Sequence, residues 1–394
     1  MSKNTIRFVS IALLAAVLLA ACAPQAPAPQ PVEVIETTPT AEIQPSESAP
    51  MATVDVDPVP TESAGFTVVD ALGREVFFER APERMILTGK AWFLLVDALY
   101  AFPEADERLV ATGQTNQGTL DFFGLVDSKF EGKAQLSHEV NTEEMAAQQP
   151  DVVFMKSYLA ESDGKPLEEL GISVVYLDLE TPEQYQRDLA TIGQIFQNET
   201  RTQEVLGYFQ MMEDQVTDKT SALTDAERPS VLLVYYNETD GQAAVQVPPL
   251  SWLQTTMVEM TGGRPVWKDI ELGKGWTTVN FEQIAVWNPD KIFVVAYKMP
   301  VDEAVDAIRN DANWQALKAL QMGEVYAFPG DYFSWDQPDT RWVLGLNWLA
   351  SRIQPGLFPG MDIESMTFDF YATLYGVDAD AFELIVSQIT GDYP

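Results

Sequence analysis

One cysteine and one histidine are all that 394 residues offer of the side chains most used for nucleophilic and metal chemistry. A lone cysteine excludes any disulfide within the chain. With His138 as the only imidazole, a Ser–His–Asp arrangement would have to use it, and His-rich zinc or manganese sites cannot be assembled. Its setting, Leu-Ser-His-Glu-Val, is that of an exposed loop residue. Neither a Gly-x-Ser-x-Gly elbow nor a phosphate loop occurs. Basic residues are scarce as well, 24 Lys and Arg against 59 Asp and Glu, for a formal charge of −35. Such a surface repels nucleic-acid phosphate and anionic headgroups, which excludes DNA, RNA and electrostatic membrane binding. Of the common hydrolytic constellations only a pair of carboxylates of the glycosidase kind stays open.

The amino end is a different composition. MSKNTIRFVSIALLAAVLLAAC carries Lys3 and Arg7, then an apolar run, then small residues, the form of a secretory signal rather than a spanning helix. Leu19-Ala20-Ala21-Cys22 resembles a bacterial lipobox, so the lone Cys22 is expected to be lipidated and to become the first residue of the mature chain. That would use up the only thiol and anchor the protein outside the cytoplasm, on the periplasmic or outer face of a membrane. Residues 23–64 follow with nine prolines, seven acids, and no glycine, Lys, Arg or aromatic residue. No core can form from these, so they read as an acidic tether, partly polyproline II, reaching on the order of 100 Å at about 3.1 Å per extended residue. Residues 65–394 remain for the folded part, too many for one small core and suited to two lobes.

In that part, short β-branched apolar runs alternate with helical patterns. Residues 84–88, 109–112, 152–155 and 173–177 read as strands, and after a helical interval so do 231–235, 292–296 and 324–328. Runs of this kind separated by helices predict an α/β fold with parallel sheets covered on both faces. The pattern occurs twice, which sets an amino-terminal lobe at 65–182, a helical region at 183–228 and a carboxy-terminal lobe at 229–394. A helix predicted over 200–224, with Thr200 and Gln203 as a capping box, carries Val205, Phe209, Met212, Val216 and Leu223 on one face and would stiffly join the lobes.

The chain also repeats itself. Residues 141–158, NTEEMAAQQPDVVFMKSY, and 280–297, NFEQIAVWNPDKIFVVAY, match at seven of 18 positions under a constant offset of 139, against roughly one expected by chance. The shared residues are Asn141/Asn280, Glu143/Glu282, Ala146/Ala285, Pro150/Pro289, Asp151/Asp290, Phe154/Phe293 and Tyr158/Tyr297. Asn141 and Asn280 are good helix N-caps, with Glu144 and Gln283 placed to complete capping boxes, and each helix should end before its proline. A strand follows, and the tyrosine arrives where it runs out, the end at which ligands collect in parallel sheets. Glu143 and Glu282 would then sit at the other end of the unit, away from the strand ends.

With these residues go Val69-Asp-Ala-Leu-Gly-Arg-Glu-Val76, Pro82-Glu-Arg-Met-Ile86, Leu170-Gly-Ile-Ser-Val-Val-Tyr-Leu-Asp178, Gly262-Gly263, Trp314 before Gly323-Glu-Val-Tyr-Ala-Phe328, Pro338-Asp-Thr-Arg341 and Leu344-Gly-Leu-Asn-Trp-Leu-Ala350. In order and spacing, over about residues 66–375, the chain resembles the substrate-binding lipoproteins of ABC importers for iron chelates and cobalamin. The resemblance implies two α/β lobes bridged by one long helix acting as a rigid hinge, a ligand between them, no catalytic activity and no resident cofactor. It implies as partners a permease with its ATPase and a small metal chelate, and a monomeric protein. Glu143 and Glu282 match the acids with which cobalamin-binding members dock onto permease arginines. Strand-end positions line the cleft with Lys90, Trp92, Lys156, Tyr158, Tyr236, Tyr297, Lys298, Tyr332, Phe333 and Trp335. The resemblance adds Trp276 and Arg341, and a Pro-Pro-Leu-Ser loop adds Trp252. Arg341, beside Asp339, is equally suited to a structural ion pair, and Trp348 is expected in the core. Lys90, Lys156, Lys298 and Arg341 would form a positive patch. It falls short of the arginine cluster that a ferric catecholate usually meets, which leaves ferric hydroxamate, haem or corrinoid as open as the catecholate, with a bare ferric ion on Tyr158, Tyr236 and Tyr297 as a further alternative. A membrane-tethered ligand sensor without a permease is the competing non-enzymatic class.

Overall fold

The computed structural model describes residues 65–114, 121–137, 141–239 and 242–394. The signal, Cys22, the tether and His138 lie outside the described residues. Within Thr61–Pro394, one compact unit, the described residues form a two-stranded, a five-stranded and a six-stranded sheet in sequence order.

An antiparallel hairpin of β1 (Phe66–Val69) and β2 (Glu75–Phe78) comes first. Its turn is the Asp-Ala-Leu-Gly-Arg stretch. Asp70 Oδ1 accepts from the amides of Leu72 and Arg74 at 3.0 Å each, and Gly73 supplies a φ of 74°. The five-stranded sheet contains β3 (Met85–Leu87), β4 (Leu109–Thr112), β5 (Ala134–Gln135), β6 (Val152–Lys156) and β7 (Val174–Leu177), in the order β5-β4-β3-β6-β7. All its pairings are parallel, and every residue of β3, β6 and β7 is buried, as continuous apolar runs require.

The six-stranded sheet is mixed, contrary to the all-parallel expectation. It holds β8 (Ser230–Thr239), β9 (Gln242–Val247), β10 (Arg264–Pro265), β11 (Thr277–Val279), β12 (Lys291–Val295) and β13 (Val325–Ala327), with the path β11-β9-β8-β12-β13 and β10 beside the start of β8. The pairs β8–β12 and β12–β13 are parallel, but β9 doubles back against β8 and β11 against β9. QAAVQV and TTV are too polar and too short to stand out as strands, and pairing alone makes them so.

Two consecutive helices join the sheets. Pro182–Phe196 ends at Gln197 in the left-handed conformation, and the connecting helix runs Glu199–Thr220. Its cap is Asn198, whose side chain accepts from the Arg201 amide, so the predicted Thr200 cap falls inside the helix. Val205, Phe209, Met212 and Val216 are buried as predicted. Phe209 packs between Tyr185 of the preceding helix, 5.5 Å away, and Trp342 of the helix Trp342–Ile353, 6.3 Å away. Gly193 lets the two consecutive helices meet: a Cβ there would lie 1.8 Å from Thr202 Oγ1.

The repeat is a strand clamp built twice. Asn141 caps the helix Thr142–Ala147 through the amides of Glu143 and Glu144, and Asn280 caps Phe281–Trp287 through the amide of Gln283. Gln149 and Asn288, equivalent under the offset, both turn left-handed just before the proline. Asp151 Oδ2 then accepts from the amides of Glu83 and Arg84, at 2.8 and 3.0 Å, at the mouth of β3. Asp290 Oδ2 does the same for the amide and hydroxyl of Ser230, at 2.7 and 2.8 Å, opening β8. Each clamp holds the strand beside its own, so sequence identity at these positions follows from one hydrogen-bond geometry used in both sheets. Glu144 does not complete a capping box; its carboxylate accepts instead from the Ser137 amide at 3.0 Å.

Candidate functional site

Strand carboxyl ends of both sheets meet in a buried seam. Arg341, at the start of the Trp342–Ile353 helix, is 0% exposed. Its guanidinium pairs with Asp97 of the first lobe, contacts Asp331 at 2.7 Å and donates to the Tyr371 hydroxyl at 3.0 Å. Phe122 of the first lobe and Phe333 of the second lie under it, their ring centres 4.7 and 5.4 Å from its central carbon. Phe93 stacks on Phe333 at 5.9 Å and Phe122 meets Tyr332 at 5.7 Å, so the 331–341 segment is the contact between lobes. Burial raises the Asp97 and Asp339 carboxyls, opposed by the Arg341 charge. Burial works against the guanidinium too, but Asp331 and Asp97 hold it firmly charged. Arg341 is therefore the structural ion-pair partner and presents no surface to a cleft.

Beside this seam the second lobe carries an aromatic wall. Tyr297, after β12, lies 4.7 Å from Tyr235 and 6.1 Å from Trp276; Trp276 lies 5.3 Å from Tyr235 and meets Trp252 edge-on at 5.6 Å. Trp252, Trp276 and Tyr297 are half-buried, so the wall keeps an accessible face. Below it opens a pocket of about 140 Å³, lined in part by Tyr297, Met299, Tyr332, Phe333, Ser334 and Gln337. The Tyr297 hydroxyl donates to the fully buried Asp336 at 2.5 Å; burial, then the Asp336 charge, puts its titration far above the usual phenol range. Trp252, Trp276, Tyr297 and Tyr332 thus come together as the sequence suggested.

Others do not. Tyr236 points to the opposite face of β8 from Tyr235, because neighbours on a strand alternate. The strand predicted over 231–235 runs on to Thr239, so Tyr236 lies inside it and not at its end. Trp335 is buried, its indole donating to Asp331 at 3.1 Å. Trp92 is buried against Gly113 with its indole donating to the Gln114 carbonyl at 3.0 Å. Phe333 lines the pocket but stacks its ring on Phe93. Lys156 is also buried, donating to the Asp178 carbonyl at 2.5 Å and to Glu180 at 2.6 Å. With Lys156 and Arg341 neutralised, the predicted positive patch reduces to Lys90 and Lys298, both exposed and without an ion pair among the described residues. Trp348 is core, as expected. Tyr158, the repeat partner of Tyr297, stands 58% exposed with its hydroxyl 3.2 Å from the Lys90 carbonyl; burial of the ring and the nearby Glu180 push it up to about 12. Tyr235, Gln254, Ser334 and Asp336 were missed, since nothing local marks a polar residue that will lie beneath a pocket.

Glu143 and Glu282 are exposed in the first turns of their helices. They do not lie away from the strand ends. Each helix runs antiparallel to the strand it feeds, and Glu144 bonds Ser137 just past the end of β5, while Asn280 directly follows the end of β11. Both glutamates therefore sit on the strand-carboxyl side of their sheets, the side that carries the seam and the aromatic wall. No group of three or more His, Cys, Asp or Glu able to hold a metal occurs among the described residues.

Comparison with known proteins agrees with this architecture. The sequence profile of the periplasmic binding protein family matches residues 124–332. The molybdate-binding protein MolA of Haemophilus influenzae is 24% identical over 259 residues, covering 60% of this chain and 70% of that protein. A periplasmic solute binding protein from Veillonella parvula superposes with a TM-score of 0.66 at 25% identity, over 82% of this chain and 98% of that one. CeuE of Helicobacter pylori, solved with Ni(II) bound, gives a TM-score of 0.61 at 17% identity, over 81% and 99% of the two chains.

Proposed function

Because the chain belongs to the periplasmic binding protein family, and so is a substrate-binding component of an ABC importer working outside the cytoplasm, we propose that its cargo is a metal held in an organic chelate, an iron chelate first of all. The observation that carries this is the accessible aromatic wall of Trp252, Trp276 and Tyr297, which suits the apolar skin of a chelate or macrocycle. For a bare metal ion, the described residues hold no group of three or more His, Cys, Asp or Glu. Lys90 and Lys298 would meet partial negative charge on the chelate. The metal travels as cargo, with no resident cofactor. Glu143 and Glu282 would dock the two lobes onto the permease, whose ATPase drives uptake; two separated acids set orientation more than affinity. Cys22 would hold the protein to the membrane by lipid through the 23–64 tether, and the monomer is the working form.

A small oxyanion is the second reading. It is favoured by the likeness to MolA and by a pocket of about 140 Å³, below the roughly 300 Å³ of ordinary organic-ligand pockets. On the first reading only a substituent enters this pocket while the chelate rests on the wall. Titration with ferric hydroxamate, ferric catecholate, haem, cobalamin and molybdate, followed by tryptophan fluorescence, separates the two. One organic chelate should quench saturably at micromolar concentration or below, and Trp276→Ala should weaken it by about 1 kcal/mol or more. A response to molybdate alone would overturn the chelate reading.

A further inference from the structure

Asp336 is wholly buried next to the pocket and has no cation beside it among the described residues. Burying a carboxylate costs several kcal/mol unless donors surround it. Three do: the Tyr297 hydroxyl at 2.5 Å, the Ser334 hydroxyl at 2.6 Å and the Gln254 amide at 3.1 Å. Burial raises the Asp336 carboxyl and these donors oppose the rise. Tyr297 and Ser334 both line the pocket, and each hydroxyl has a single proton. That proton is given to Asp336, so whatever part of either oxygen faces the pocket carries only lone pairs. Thr390, also on the wall, donates its hydroxyl to the Gly330 carbonyl at 3.4 Å. The Gln337 amide can donate or accept, and the lining contains no Lys or Arg. Asp331, bound to Arg341 and to the Trp335 indole, also lines the pocket, and the Tyr332 hydroxyl can donate or accept; the wall thus offers more acceptors than donors, with the Asp336 charge one layer behind it.

The repeat supplies a comparison. Tyr158 occupies the equivalent strand end in the first lobe, has no buried carboxylate to receive its hydroxyl and stands out into solvent. Tyr297 gives its proton to the buried Asp336, whereas Tyr158 gives its own to the Lys90 carbonyl.

We infer that Asp336 sets the hydrogen-bond polarity of this pocket, so that it takes a neutral or cationic group bearing N–H or O–H donors and shuts out oxyanions. The inference rests on the pocket being the ligand site of the proposed function, and it weighs against the oxyanion reading. Asp336→Asn tests it. The carboxamide keeps the shape but can accept from only one hydroxyl through its oxygen, which frees the other to donate into the pocket, and the negative charge is gone. Calorimetric titration of the purified full chain with sodium molybdate at fixed ionic strength should show no micromolar binding to the wild type and at least tenfold tighter binding to D336N. Micromolar molybdate affinity in the wild type, or no gain in D336N, overturns the assignment. If D336N does not fold, Asp336→Ser, which leaves room for water, carries the same expectation. Ferric hydroxamate, haem and cobalamin titrated in parallel keep the readings apart. Silence of the wild type to all three strikes the chelate proposal, whereas the molybdate gain is judged between wild type and variant alone.

Discussion

Replacing Arg341 with Met would remove the only cation from a pocket that it shares with Asp97, Asp331 and Asp339, all of whose side chains are inaccessible. Met approximates the length and apolar volume of the stem, so lost packing contributes little. Removing one partner of a buried pair costs about 3–5 kcal/mol, because the desolvated carboxylate is left uncompensated. Three carboxylates are orphaned here, and the contacts with Phe122 and Phe333 are lost as well, which places the expectation at the upper end, about 4–5 kcal/mol. The orphans would be relieved by protonation. Burial already raises Asp97 and Asp339, and the Arg341 charge that chiefly opposes the rise would be gone, so the native variant holds extra protons and loses stability as pH rises through that window. The deficit should accordingly be larger at pH 8 than at pH 5. Urea unfolding of wild type and Arg341→Met at both pH values measures it. A variant with wild-type stability and abolished ligand affinity would refute this reasoning and return Arg341 to the ligand.

Glu213, half-buried on the connecting helix, is pushed up to about 7, first by burial and then by Glu183 and Asp214. The native state therefore holds a proton that the unfolded chain has released above about 4.5, and stability is lost as pH rises from there to about 7. Glu213→Gln should raise stability by about 1–2 kcal/mol at pH 8, after discounting for partial exposure, and leave it unchanged at pH 4; equal effects at both would show that charge is not the cause. For Glu143→Lys with Glu282→Lys, uptake into vesicles bearing the permease should cease while ligand affinity in solution stays at the wild-type value. A parallel fall in affinity would remove these two residues from the docking role.

Much of the fold was legible because its causes are local. An Asn cap, a left-handed residue and Pro-Asp fall within a dozen residues, so the repeat could be seen in the sequence, whereas the strand starts that Asp151 and Asp290 clamp lie 68 and 60 positions away and could not. Buried parallel strands announce themselves as apolar runs, and β4 was found to the residue. Strands β9 and β11 were not found, since their sequences are neutral and only the partner across the ladder makes them strands. The direction of Glu143 and Glu282 failed for a related reason: distance along the unit was read as distance in space, although the chain doubles back between helix and strand.

Trp276 came from the family resemblance; by itself the sequence determined the signal-like composition of the start, the acidic Pro-rich stretch behind it, two α/β halves, the stripe on the connecting helix and the strand-end Tyr297. These follow from composition, periodicity and hydrogen bonds spanning a few residues. Only the tertiary structure decided that Arg341 answers Asp97, 244 positions away, that Lys156 is neutralised by Glu180, and that Asp336 lies behind Tyr297 and Ser334. A charged or hydroxyl side chain has the same identity in the sequence whether it will face a ligand or a buried partner. What it does depends on which distant group arrives beside it once both are removed from water.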